Sequence, residues 1–97
     1  MDRIDADLSC RLRRRSVPAR HVGAQTVLAR PADGTALVLP ETAALVWASL
    51  DDWCDLAQLE SVLRCHYPEV AQDVRRAALS AILEQLGNES LLERRPA

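Results

Sequence analysis

Residues 31 to 53, PADGTALVLPETAALVWASLDDW, pass from a turn through a short apolar strand straight into a helix. Asp33-Gly34 is the strongest hairpin signal in the chain, because glycine takes up positive φ at no steric cost. Thr35 to Leu39 then alternates, with Leu37 and Leu39 on one face and Ala36 and Val38 on the other. Pro40 has no N–H to give a ladder, so the strand stops there. Glu41 suits the positive end of a helix dipole and Thr42 can bond a free backbone N–H, so a helix is expected over 41 to about 51. Ala43, Val46, Trp47 and Leu50 fall on one side of it at helical spacing.

Upstream, VPARHVG (17–23) reads as a short edge strand, since Pro18 is tolerated only at an edge or a strand start. QTVLAR (25–30) has the β-branched and apolar content of a second strand, and 35–39 pairs back as a third. Downstream, Asp51-Asp52 ends the first helix. Asp55 caps a second, whose stripe of Leu56, Leu59, Val62 and Leu63 ends near Tyr67-Pro68. A third helix is expected from Asp73, its cap, to Leu86, with Gly87-Asn88 as its stop and Leu91 and Leu92 as a short packed tail. Three strands followed by three helices indicate an α+β fold, with the helices on one side of a small antiparallel sheet. Residues 1–15, ending in RLRRR, read as a flexible basic arm or an early, poorly fixed strand. The domain proper then spans 16–93, with 94–97 as a tail.

The third helix carries two apolar strips. Leu79, Ile82, Leu83 and Leu86 form a strong stripe, enough to bury a helix of this size. Val74, Ala77, Ala78 and Ala81 form a second strip of small side chains, with Asp73, Arg76, Ser80 and Glu84 covering the rest. The second strip either widens the core or leaves a shallow groove for a partner's larger side chains.

Composition narrows the function classes. Ninety-seven residues, 48% of them hydrophobic, suit one compact domain with a core of Leu, Val, Ile and Ala, since Phe is absent and aromatics are only 3%. A net charge of −2 gives no general attraction to nucleic acid or anionic membrane. The N-terminus lacks the apolar core of a signal peptide, and no stretch reaches the roughly 18 apolar residues of a membrane span. Cys10, Cys54 and Cys65 make an odd count, so reduced thiols in a cytoplasmic protein are expected.

No catalytic set assembles. Cys54, Cys65 and His66, with Cys10 or His21, lack the paired short spacings of structural zinc, and adjacent Cys65-His66 on a helix point in different directions. A Cys–His nucleophile lacks a third orienting group. Arg11, Arg13, Arg14 and Arg15 suit a solvated arm more readily than a phosphate site, and three glycines make no phosphate loop. Trp47 and Trp53 are explained by packing, and Asp51-Asp52 by its helix end. No cofactor and no enzymatic activity are expected.

From residue 17 to residue 92 the chain resembles the PqqD-like family, the peptide-recognition elements of ribosomally made peptide natural products. The resemblance rests on Arg20-His21-Val22, TVLARP, Asp33-Gly34, TALVL and ETAALVWASLDD. It continues through the helix from Asp55 to Leu63, the Tyr67-Pro68 break and a last helix ending in Leu91-Leu92. Three positions depart from the family pattern: Pro40 replaces a capping Asn, Asp52 a turn Gly, and Ser90 the Gly before the final apolar pair.

The resemblance implies a winged helix-turn-helix-like fold. It also implies a function, in which the protein binds the leader of a precursor peptide and presents it, chaperone-like, to maturation enzymes. An edge strand offers unpaired N–H and C=O groups to which an extended peptide can add. In the family the peptide lies between the third strand and third helix. Here that implies Thr35, Ala36, Leu37, Val38 and Leu39 facing Val74, Ala77, Ala78 and Ala81, with Arg76 and Glu84 at the rim. Proline at Leu37 or Leu39 is then expected to abolish binding without unfolding the helices. A free-standing chain is similar to the discrete members of lasso-peptide pathways, whose partners are a leader peptidase and a macrolactam synthetase. Radical S-adenosylmethionine enzymes are the partners in other branches. The rival readings are a winged-helix DNA-binding regulator and a small structural subunit of an enzyme complex. A recognition helix needs several polar side chains for base edges, and the third helix offers only Arg75 and Arg76 near its start.

Overall fold

The computed structural model describes residues 10–96. Its elements follow in the order β1 (Cys10–Arg14), β2 (Ala19–Val22), β3 (Gln25–Ala29), β4 (Ala36–Leu39), α1 (Glu41–Ser49), α2 (Leu56–His66), α3 (Gln72–Asn88) and β5 (Leu92–Pro96). The expected sheet is present: β2, β3 and β4 form an antiparallel meander in that order, and three helices follow it. Two glycines make its turns. Gly23, at φ 62°, opens the two-residue connection between Val22 and Gln25, the arrangement that matches strand twist. Gly34, at φ 76°, closes the loop from Arg30 to Thr35, and its N–H donates to Arg30 O at 2.8 Å.

At the N-terminal end the strand alternative is the one present, and the C-terminal end is paired with it. Cys10–Arg14 is a strand and not an arm, and 94–96 is not a tail, because the two ends pair antiparallel with Arg13 opposite Glu93. Charge and packing both explain it. The Arg13 guanidinium donates to Glu93 Oε2 at 2.7 Å, and Arg13 and Arg95 stand 4.6 and 4.3 Å from the Trp53 ring centroid. Beneath them Leu12 is buried, and its main chain exchanges both hydrogen bonds with Cys54. Residues 1–9 of the expected arm, and residue 97, lie outside the described residues.

Helix boundaries moved where caps decide them. α1 ends at Ser49, two residues early, because Leu50 N–H folds back onto Trp47 O at 3.1 Å. Thr42 does not cap it; its hydroxyl donates to Tyr67 Oη. Asp55 and Gln58 form the reciprocal capping box of α2. α3 begins at Gln72, before the expected Asp73 cap, and runs through Gly87 and Asn88. It stops one turn later by backbone geometry. Ser90 adopts φ 60°, its N–H reaches Gly87 O at 3.1 Å, and Leu91 N–H reaches Leu86 O at 2.9 Å. That is a Schellman closure with serine where glycine is usual.

The core lies between the sheet and the helices. Leu28, Leu37 and Leu39 meet Val46, Trp47 and Leu50 of the α1 region, Leu59 and Leu63 of α2, and Leu79 and Leu86 of α3. α1 packs directly on β3 and β4, and α2 and α3 pack on α1 and on one another.

Candidate functional site

β4 is one of the two edge strands of its sheet, β2 being the other. The direction of its main-chain groups follows from the ladder. Ala29 N–H donates to Pro18 O on the β2 side, whereas Arg30 N–H donates to Thr35 O on the β4 side. Along an antiparallel strand the N–H and C=O of one residue point the same way, and successive residues alternate. Thr35, Leu37 and Leu39 therefore turn their main chain to β3, and Ala36 and Val38 turn theirs outward. Side chains alternate in step. Leu37 and Leu39 are 6% and 0% exposed in the core, while Val38 is 50% exposed. Of the five expected backbone positions, two face the free edge. Proline at Leu37 or Leu39 would strike the ladder and core together, so Val38 is the position that isolates the edge.

The second wall is α3. At about 100° per residue, its directions run in the order Arg76, Leu83, Leu79, Leu86, Ile82, Glu89, Ala78, Val74, Ala81, Ala77, Glu84. Two contacts orient this wheel. Arg76 Nε donates to Glu60 Oε1 on α2 at 3.1 Å, so the Arg76 flank faces α2. Glu89 Oε2 accepts from Arg30 Nε at 2.6 Å, so the Glu89 flank faces the β3–β4 hairpin. Ala78, half-buried, and Val74 and Ala81, both exposed, lie just beyond Glu89 on that flank. Ala77 and Glu84 sit further round toward solvent, and both are exposed. Val74, Ala77 and Ala81 do not widen the core. Arg76 stands on the opposite flank, held by Glu60.

Polar ties fix β4 against α3 at both ends. At the start of β4, Arg30 Nη1 donates to Ala36 O at 2.8 Å and to Thr35 Oγ1 at 3.0 Å while Nε holds Glu89. Thr35 in turn donates its N–H and hydroxyl to Asp33 Oδ1 at 3.0 and 2.7 Å. Those two bonds hold the Asp33 carboxyl below its ordinary range. Beyond the other end of β4, Thr42 bonds Tyr67, whose carbonyl accepts from Arg75 Nη1 at the start of α3; Arg75 also bonds Val70 O. β4 and α3 consequently run in opposite senses. Arg30 and Glu89 were not singled out from the sequence, and Tyr67 only as the break after α2, because each acts through a partner distant along the chain, Glu89 being 59 residues from Arg30.

The remaining candidate chemistry does not converge. Cys54 is buried with Sγ toward Ser49 O, and burial, then Asp55, Asp51 and Asp52, push its thiol up. Cys65 is exposed, and His66 Nδ1 lies 3.0 Å from its own helix's Val62 O. Among the described residues no three of His, Cys, Asp and Glu group as metal ligands. One surface concavity of about 330 Å³ lies between α2 and α3, lined by Glu60, Arg64, Arg75 and Arg76. A smaller one lies between Arg14, Arg15, His21 and Trp47. Neither of these two opens between β4 and the small-residue flank of α3.

Comparison with known families adds one result. The family model described as Coenzyme PQQ synthesis protein D (PqqD) matches residues 25–92, from the start of β3 to the start of β5. No curated protein and no solved structure matches the chain. The matched span takes in the β3–β4 hairpin, all three helices and both walls of the site, and it exceeds two thirds of the sequence: the chain belongs to the PqqD family.

Proposed function

We propose that this protein binds the leader of a ribosomally made precursor peptide by strand addition to β4, and presents it to the enzymes that mature the peptide. The observation that carries the reading is the pairing of two exposed features in one PqqD-family chain. Ala36 and Val38 turn main-chain groups outward on β4, and Val74 and Ala81 leave the facing flank of α3 uncovered. Val38 and Val74 are two of the three large apolar side chains exposed among the described residues, Val38 on the outer face of β4 and Val74 on the α3 flank. An added strand gains affinity from the main chain and specificity from alternate side chains. Guest residues opposite Ala36 and Val38 project to the outer face. The residue between them, opposite Leu37, projects inward toward Ala78, Val74 and Ala81, where a large apolar side chain fills the space that small residues leave.

On this reading the protein is a binding module and the chemistry belongs to its partners. Those partners are the maturation enzymes of the same pathway: a leader peptidase with a macrolactam synthetase, as in lasso-peptide pathways, or a radical S-adenosylmethionine enzyme. No helix among the described residues is long and apolar enough to cross a membrane, and we place this work in the cytoplasm. Ala77 and Glu84 stand where a longer peptide would pass. Arg76 serves the α2–α3 contact. The test is a titration of the labelled leader of a precursor encoded beside this gene against wild type and Val38→Pro. Saturable binding that Val38→Pro removes supports the reading, and a folded wild-type protein that ignores the leader refutes it.

A further inference from the structure

The β4 edge is not uniformly open. Its outward groups are the N–H and C=O of Ala36 and of Val38, and past them Pro40 has no N–H while its carbonyl accepts from Ala44 N–H at 2.8 Å. Of the four outward groups one is already engaged: Arg30 Nη1 donates to Ala36 O at 2.8 Å. The guanidinium is not passing by. Nε is fixed on Glu89 at 2.6 Å, Nη1 also donates to Thr35 Oγ1, and that hydroxyl is fixed on Asp33. A bond from a cationic donor is the stronger kind. A second N–H brought to the same carbonyl would point its positive end toward the guanidinium.

We propose that Arg30 is a specificity-determining residue that sets the register of the added strand, its Nη1 standing in for the guest N–H opposite Ala36. The assignment rests on strand addition to β4. An antiparallel guest then exchanges both main-chain bonds with Val38 alone. Two residues toward its C-terminus it accepts one bond from Ala36 N–H and donates none. Pairing cannot slide past Val38, because Pro40 supplies neither group, and sliding toward the hairpin meets Arg30. The leader is thus read in one register, with one position at which its own N–H is dispensable.

The test is an N-methyl scan of a guest peptide. The probe is a peptide isolated from a random-peptide display library on the immobilised wild-type protein and rejected by Val38→Pro. Each guest N–H is replaced in turn by N–CH3 and affinity is measured by fluorescence anisotropy. A lost main-chain bond weakens binding roughly three- to tenfold. In the wild-type protein one guest position is sensitive, and the position two residues toward the C-terminus changes less than about twofold, below that range. In Arg30→Ala the second position becomes sensitive as well, because Ala36 O is released. Should Arg30→Ala fail to fold, Glu89→Gln, which keeps the guanidinium, retains the single-position pattern, and the wild-type scan decides alone. Two sensitive positions of equal cost in the wild-type protein overturn the register role while leaving strand addition intact. A scan with no sensitive position, or a library that yields no peptide dependent on Val38, overturns strand addition, and the role of Arg30 falls with it.

Discussion

Proline at Val38 and at Leu37 should separate binding from folding, and the expected sizes follow from the strand's alternation. Val38 N–H faces away from β3, so proline there removes no ladder bond, and edge positions of this kind are where proline is tolerated. The side chain is already 50% exposed, so its replacement costs about 1 kcal/mol or less of burial. At Leu37 the N–H faces Leu28, whose side chain is 1% exposed. Proline there leaves a carbonyl without its donor, about 1–3 kcal/mol, and truncates a core leucine, about 2–5 kcal/mol for a change to alanine, less what the ring refills. Roughly 3–6 kcal/mol is a large share of the about 5–15 kcal/mol that holds a domain of this size. Urea unfolding followed by tryptophan fluorescence reads this, because Trp47 is buried in the core. Val38→Pro should unfold near the wild-type midpoint yet lose peptide binding, whereas Leu37→Pro should be severely destabilised. Equal destabilisation by the two would refute the edge geometry, and a stable Val38→Pro that still binds would refute strand addition.

Two further outcomes follow from the backbone and the thiols. Ser90 holds φ 60° to close α3, so Ser90→Gly should raise stability by about 0.5–1 kcal/mol, measured as an increase in the urea midpoint at unchanged slope. Cys54 should resist alkylation at a pH where exposed Cys65 reacts, read by mass spectrometry, because burial first and Asp55, Asp51 and Asp52 next disfavour its thiolate. The sign is that of a raised group: whatever stability the neutral thiol contributes is present below its unfolded value and declines as pH rises toward the folded one.

What was legible in the sequence was whatever a local rule determines. Alternation in Ala36–Leu39, the Asp33-Gly34 turn and the Asp55 capping box all act within a few residues, and the sheet and helices followed from them. The β1–β5 ribbon was not legible. Its strands lie at opposite ends of the chain, and Arg11 to Arg15 reads as a solvated run until Glu93 and Trp53 are brought beside it. Gly87-Asn88 misled for a related reason: both remain helical, and the closure falls to Ser90, whose residue type carries little preference for positive φ. Within the site, the exposure of Val74, Ala77 and Ala81 could not be decided from the wheel, since one apolar strip looks like another until Arg76–Glu60 and Arg30–Glu89 show which flank each neighbour occupies. Parity could have reduced Thr35–Leu39 to Ala36 and Val38, but only once the ladder contacts fixed which residues face β3.

An exposed strand edge must avoid pairing with another copy of itself. Length is the first restraint on β4. With Pro40 lacking a donor, two copies pairing edge to edge could share only the groups of Ala36 and Val38. The Arg30 guanidinium is the second, because it covers one of those acceptors. A few main-chain bonds at roughly 0.5–1.5 kcal/mol each do not offset the cost of association, estimated at about 4–15 kcal/mol. Under the proposed strand addition a leader would face the same deficit at the edge and would have to make it up elsewhere. The surface within reach is the Ala78, Val74 and Ala81 flank of α3, which only an inward-pointing side chain of the guest can cover. On the proposed reading the strand would supply direction and register, and α3 the discrimination between a leader and any other extended chain.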